Sequence, residues 1–222
     1  CSSDLAMAQQ ERARRTRAAI VEAAAYEFSK RGYTAASVNT ILEGSRATKG
    51  AMYFHFSSKE ELARAVLQTA MEKYVAIMEV ERPSGVDALE WLHSLIFQLA
   101  RSFDENVVVR AEFRLVVEPE FHASIRDGAG AVWGRTAHKL AAEAHETGLL
   151  RPDIDPRMFT RVLVTSLAGQ RYMADLTAED TDLVVLFEES LEVLLMAMAS
   201  REWLDKWRVN GWPRVDAVSV ET

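Results

Sequence analysis

Apolar residues along this 222-residue chain recur every three to four positions through the long intervals between Pro83, Pro119, Pro152, Pro156 and Pro213. That period is helical, and it predicts an all-α protein. Ile20, Ala24 and Phe28 stand four apart and mark the inner face of a first helix from about Gln10 to Gly32, a residue suited to cap its C-terminus. Ser37, just ahead of Val38, Ile41 and Leu42, predicts a short second helix capped by that hydroxyl. Thr48 stands in the same relation to Ala51 and Met52, so a third short helix follows a tight turn from Gly44 to Ala47. Ser58 opens a fourth, with Glu60 and Glu61 in the first turn, where the helix dipole favours anions, and Leu62, Val66, Ala70 and Tyr74 along its stripe.

The strongest boundary signal is the turn Arg82-Pro83-Ser84-Gly85. Beyond it the pattern predicts helices over 86–102, 107–117, 129–146 (closed by Gly148), 156–172 and 182–198. Pro156 sits at the first-turn position that proline tolerates. In the last of these helices Leu183, Leu186, Phe187, Leu191, Leu194, Leu195 and Met198 make a stripe wider than one buried seam needs, which fits either a dimer face or a helix sunk in the monomer. The tail from Arg201 to Trp212 gathers Trp203, Leu204, Trp207 and Trp212 near one apolar side, to fold back on the body or to cover a dimer seam.

Composition narrows the class. A chain with 49% hydrophobic and 27% charged residues is neither disordered nor collagen-like. Its only cysteine is Cys1, which forbids an internal disulfide or a cysteine-based zinc cluster and makes a reducing cytoplasm the expected compartment. No apolar run approaches the roughly 18 to 20 residues of a membrane span, and no secretory signal opens the chain. The residues before Met7 read as an extension ahead of an ordinary translation start and are left out of the fold reading.

Charge first points away from nucleic acid and then back toward it. The net −7 argues against nonspecific DNA binding, yet residues 1–60 hold nine Lys/Arg against six Asp/Glu, and the remainder carries −10. Arg12, Arg14, Arg15 and Arg17 lead into the first helix, while Lys49, His55 and Lys59 cluster around the third. Four arginines alone better describe a solvated helix face. A basic end on an acidic body is nevertheless what a small DNA-reading module requires, since phosphate neutralisation is local. Catalysis has little to stand on: His138 and His145 are seven apart, without the i, i+4 pairing of a helical zinc site, and no phosphate loop or nucleophile elbow occurs. No catalytic residue, metal or cofactor is expected. A helical enzyme and a ligand-blind interaction protein remain as competing readings.

The order of residues decides between them. Gly32-Tyr33, Ser37-Val38-Asn39-Thr40-Ile41-Leu42, Thr48-Lys49-Gly50-Ala51-Met52-Tyr53-Phe54-His55-Phe56 and Ser58-Lys59-Glu60-Glu61-Leu62 closely resemble the DNA-binding domain of the TetR family of regulators, densely over residues 10–65. The resemblance implies a three-helix helix-turn-helix domain over 9–58, a connecting helix from about 59, and a helical ligand-binding and dimerisation domain over 59–222. It further implies that Ser37, Arg46, Thr48, Lys49, Gly50, Ala51, Tyr53, His55 and Lys59 face DNA. Thr48, Tyr53 and His55 suit phosphate oxygens, and Lys49 suits guanine O6 or N7. Gly50 lets the backbone approach, Ala51 offers a methyl, and Lys59 adds charge at the next helix start, while Met52 and Phe56 are core. One position departs from the family: Arg46 stands where members usually have glycine, and the usual turn would put it in a left-handed conformation costing about 1 kcal/mol or more.

Within the family, the segments Asn106–Leu115 and Leu167-Ala168-Gly169-Gln170, with a lone mid-body Trp133, look like the γ-butyrolactone receptor branch, although Glu112 stands where that branch often has glycine. By that resemblance Trp133 and Ser166, with Phe97, Phe113 and Gln170, would line a site for a small hydrophobic effector. Trp133 as plain core, and Ser166 bonded to its own helix, are the alternatives. The expected protein is a cytoplasmic, nucleoid-associated homodimer, a repressor on near-palindromic double-stranded operator DNA, released by a butyrolactone, furan or butenolide. A regulator of the same fold answering a drug or another metabolite is the alternative.

Overall fold

The computed structural model describes residues 2–177 and 181–213. Among them the chain is helical, apart from turns and one antiparallel bridge between Leu150 and Ala199. It forms two compact units, one from the residues up to Lys73 together with Asp104–Ala129, the other from Tyr74–Phe103 together with the residues from Gly130 onward. The compact units are therefore cut differently from the functional division expected at residue 58. The segment 104–129 belongs with the N-terminal unit.

In that unit α1 (Ser2–Ala35) starts well ahead of the expected Gln10. Its Ala, Gln, Glu and Arg content favours helix, and Glu11 pairs with Arg14 and Arg15 one turn on, at 2.9 and 3.1 Å. Gly32 breaks α1 as expected, with φ 72° and ψ 177°, a conformation closed to most side chains. The break swings Tyr33 onto Phe28 and edge-on to Phe121, at 5.9 and 4.9 Å between ring centroids. Two short helices follow, α2 (Val38–Ser45) and α3 (Lys49–His55), and then the long α4 (Lys59–Met78).

The core these helices share contains Ile20, Ala24 and Phe28 of α1, Ile41, Met52, Phe56, and Leu62 and Val66 of α4. Each such aliphatic or aromatic side chain contributes about 1.5–3 kcal/mol by leaving water. After α5 (Ala88–Glu105), the helix α6 (Val107–Val116) lies chiefly along α1 and adds Val108, Ala111 and Leu115 to the same core. A 3-10 turn at Pro119–Phe121 and α7 (Ala123–Asp127), neither foreseen in the apolar pattern, close the unit around buried Phe121.

The second unit contains most of α5, then α8 (Ala129–Glu146), α9 (Pro156–Thr177), α10 (Leu183–Met198) and α11 (Arg201–Asn210). Pro156 opens α9 as expected, and Asp182 caps α10 by accepting from the N–H groups of Val184 and Val185. Leu89, Leu92, Leu95 and Leu99 of α5 are buried, as are Phe159, Leu163 and Leu167 of α9 and Phe187 and Leu191 of α10. The tryptophan tail folds onto this body: Trp203 Nε1 donates to Asp87 at 2.8 Å, Trp212 Nε1 donates to Glu192 at 3.1 Å, and the Trp212 ring stacks on His93 at 3.9 Å.

Candidate nucleic-acid interface

The interface expected from sequence centres on α2, its turn and α3. Ser37 occupies the N-cap position of α2 with an extended backbone, but its hydroxyl makes no capping bond; only its carbonyl enters the helix, accepting from Ile41 N–H at 3.1 Å. The expected hydroxyl cap is thus corrected. Its side chain is exposed and uncommitted to the helix end.

Arg46 takes the left-handed conformation, φ 53° and ψ 24°, and is the one non-glycine residue with positive φ among those described. The turn has therefore kept the backbone that glycine usually serves and accepts a strain of about 1 kcal/mol. Ser45 supports it from inside, its Oγ accepting from Ala47 N–H at 3.3 Å and donating to the Leu42 carbonyl at 3.2 Å. The Arg46 side chain is exposed.

Thr48 caps α3, its Oγ1 accepting from Ala51 N–H at 3.1 Å, which leaves the hydroxyl hydrogen free to donate outward. Met52 and Phe56 are buried, as expected, and fix the rotation of this two-turn helix. Everything opposite them is displayed: Lys49, Gly50, Tyr53 and Phe54 are exposed, and Ala51 is half-buried. His55 is half-buried, edge-on to Phe54 at 5.0 Å and tilted on Phe56 at 6.3 Å. The Arg17 guanidinium of α1 lies 5.1 Å over the Phe56 ring.

Phe54 was missed from sequence, although it is 80% exposed. The signal was present: with Met52 and Phe56 inward on a helix, position 54 points away from the core.

Lys59 is placed differently from expectation. Its ammonium donates to the carbonyls of Tyr33, Thr34 and Ala36 at 2.9, 3.3 and 3.2 Å, and lies 4.6 Å over the Tyr33 ring. These carbonyls lie at and just past the end of α1, where no further turn supplies helical partners. The role this gives Lys59 is to tie α4 to α1. Beside it, Glu61 accepts from the N–H and Oγ of Ser57, both at 2.7 Å, bonds that hold its carboxyl below the ordinary carboxylate value. Ser58 Oγ accepts from Glu61 N–H, so the start of α4 is closed from both sides.

The residues expected around an effector do not all fall together. Phe97 of α5, Trp133 of α8, and Ser166 and Gln170 of α9 belong to the second unit, whereas Phe113 of α6 belongs to the first. Trp133 is buried, Ser166 and Gln170 are half-buried one turn apart, and Phe97 is 36% exposed. A shallow groove of about 410 Å³ between α8 and α9 is lined by Gly134, His138, Arg157, Thr160, Arg161 and Val164, and Trp133 is not in its lining. Among the described residues no three His, Cys, Asp or Glu side chains gather as a metal would require, and no helix is long and apolar enough to cross a membrane.

Residues 20–66 match the model of the N-terminal domain of bacterial regulatory proteins of the tetR family. The chain is 34% identical over 184 residues to the A-factor receptor protein of Streptomyces griseus, a match spanning 80% of this chain and 61% of that protein's length. Among solved structures it resembles full-length native tylp, a tetR regulator from Streptomyces fradiae, at 30% identity and TM-score 0.64, over 89% of this chain and 86% of the other. It also resembles a γ-butyrolactone receptor (ArpA-like protein), at 28% identity and TM-score 0.70, over 89% and 94% of the two chains. The chain belongs to the TetR family, whose members are DNA-binding regulators of transcription and not enzymes. Within that family its likeness is to the γ-butyrolactone receptor branch.

Proposed function

We propose that this protein is a homodimeric repressor that binds a near-palindromic operator through α3 and is released by a small hydrophobic effector, a γ-butyrolactone or a related furan or butenolide. The observation that carries the reading is the α3 surface, where Lys49, Gly50, Tyr53 and Phe54 stand exposed around the buried anchors Met52 and Phe56. A helix this short enters the major groove by its N-terminal end. Lys49 then reaches guanine O6 or N7, and Gly50 and Ala51 let the backbone approach the base edges. Thr48, Tyr53 and His55 donate to phosphates, with Ser37 and Arg46 at the flank. The ammonium of Lys59, already bonded to three carbonyls, serves the reader by holding its helices together.

Dimerisation is assigned to α9 and α10. Tyr172, Met173 and Leu176 of α9 and Val185, Val193 and Met196 of α10 are large apolar side chains exposed in the single chain, as an unpaired bundle face requires. Two readers carried by one dimer must meet half-sites about 34–36 Å apart, so a modest change in their separation forfeits one half-site. The effector is assigned to the surroundings of Trp133, with Phe97, Ser166 and Gln170 of the same unit, and the protein acts in the cytoplasm, on the nucleoid.

Selection of genomic fragments bound by the purified protein, repeated with butyrolactones as competitors, tests this reading. The expected product is a set of fragments sharing an inverted repeat and lost on addition of a lactone. Recovery of no enriched sequence would refute operator recognition, and enrichment indifferent to every lactone would refute the effector class.

A further inference from the structure

The body is acidic as a whole, yet two of its helices are not. From 129 to 142 on α8 the chain carries Arg135, His138 and Lys139, and from 156 to 174 on α9 it carries Arg157, Arg161 and Arg171, with no Asp or Glu in either stretch. Arg82, Arg151 and Arg171 of the same unit are each paired with a carboxylate, of Glu143, Asp153 and Asp175 respectively. Arg135, Lys139, Arg157 and Arg161 are exposed and stand in no ion pair among the described residues. The nearest carboxylate along the chain, Asp155, is turned to the end of α9, where its Oδ1 accepts from the Arg157 N–H at 2.8 Å.

Arg157 and Arg161 lie one turn apart on α9 and line the groove between α8 and α9. Thr160 Oγ1 meets His138 Nδ1 at 3.4 Å, which sets these two antiparallel helices side by side and brings Val164 opposite Gly134 one turn further along. The groove thus has a cationic end and an apolar one. Gly134 is the telling residue. Glycine weakens a helix interior, and neither backbone nor packing asks for it here: its φ is not positive, and a Cβ built on it would meet nothing within 4 Å. What the missing side chain preserves is the open space of the groove. This space is separate from the surroundings assigned to the effector, because Ser166 and Gln170 lie roughly 140° and 180° around α9 from Arg161.

We propose that the α8–α9 groove is a second small-molecule site, which takes an organic oxyanion, a carboxylate or a phosphate monoester, carrying a compact apolar body. The oxyanion sits between the guanidinium forks of Arg157 and Arg161, whose planar donors match its oxygens in pairs. The apolar body runs along Val164 into the space over Gly134, and Arg135 and Lys139, each one position on from the α8 wall, add to the attraction. A volume of about 410 Å³ suits an occupant of that size.

Calorimetric titration of the full-length protein at physiological salt with 4-phenylbutyrate and with phenyl phosphate tests this, beside the uncharged 4-phenyl-1-butanol. The expected result is saturable binding of one anion per chain, with a dissociation constant on the order of millimolar or below, and at least about tenfold weaker binding of the alcohol. The tighter of the two anions identifies the head group. Arg157→Gln and Arg161→Gln should each weaken it about fivefold or more, while Arg208→Gln, the same loss of charge on α11, leaves it unchanged. Gly134→Leu should fill the groove and abolish binding without lowering the melting temperature, since leucine favours helix. Saturable binding of neither anion, equal binding of the alcohol, or wild-type affinity in Arg161→Gln or Gly134→Leu would overturn the proposal. Because the titration contains no DNA and no lactone, its failure is distinct from failure of the repressor reading.

Discussion

The N-terminal unit and the body treat their polar groups in opposite ways. In the first, the side chains suited to DNA stand in water around two buried anchors, Met52 and Phe56, while Lys59 is bonded to backbone carbonyls. In the body, polar groups are sealed among tryptophans: His93 is buried under the Trp212 ring, its Nε2 is 2.6 Å from Glu188, and its Nδ1 has no partner. That environment suits the neutral ring, with Nε2–H donating to Glu188 and a bare lone pair on Nδ1. The contrast teaches where each region is vulnerable. The reader depends on what it displays, the body on what it hides.

The largest separation of the two should come from Trp133→Ala. Removing a buried indole costs about 3–5 kcal/mol of body stability, read as a lowered midpoint in denaturant, while operator affinity of the folded protein stays near wild type. Trp133→Phe preserves most of the volume and should weaken lactone-induced release with little loss of stability. Release unaltered in both variants would return Trp133 to plain core.

Lys59→Met breaks the reader from within. Loss of the charge-assisted bonds to Tyr33, Thr34 and Ala36 should destabilise the N-terminal unit by about 1.5–3 kcal/mol. The salt dependence of operator binding should stay as in wild type, because no phosphate contact is removed. A shallower salt slope with unchanged stability would restore Lys59 to the DNA surface.

Arg46→Gly should act in two directions. Relief of the left-handed strain stabilises the turn by about 1 kcal/mol, and loss of a flanking phosphate contact lowers the salt slope by about one. Thermal melts together with titrations at several salt concentrations separate the two effects.

The smallest effect belongs to pH. Burial pushes His93 below the ordinary histidine value of 6.5, against the pull of Glu188 and then Glu192. The unfolded chain therefore binds the proton more readily, and stability is lost as pH falls below 6.5 toward the lower folded value. The loss should be about 1 kcal/mol or less at about pH 5.5, and His93→Gln should flatten it. A pH profile identical in that variant would remove His93 as its source.

Much of the fold was legible because it is local. The spacing of Ile20, Ala24 and Phe28 announced α1, Gly32 its break, and Pro156 the start of α9. Even the strain at Arg46 followed from one substitution against the family pattern. What was not legible depends on partners distant in sequence. The stripe of Val108, Ala111 and Leu115 revealed a helix but not that it packs on α1, which is why 104–129 was assigned to the body. Lys59 looked like a surface charge because the carbonyls it binds lie more than twenty residues away. Phe54 was passed over for lack of a polar group, although the periodicity that buried its neighbours exposed it.

The claim that α3 reads DNA is tested most directly by titrating Lys49→Ala against a selected operator fragment and a scrambled control. A weakening of about 10- to 100-fold on the operator, with little change on the control and an unaltered melting temperature, is the predicted result. Operator affinity and selectivity equal to wild type would contradict it.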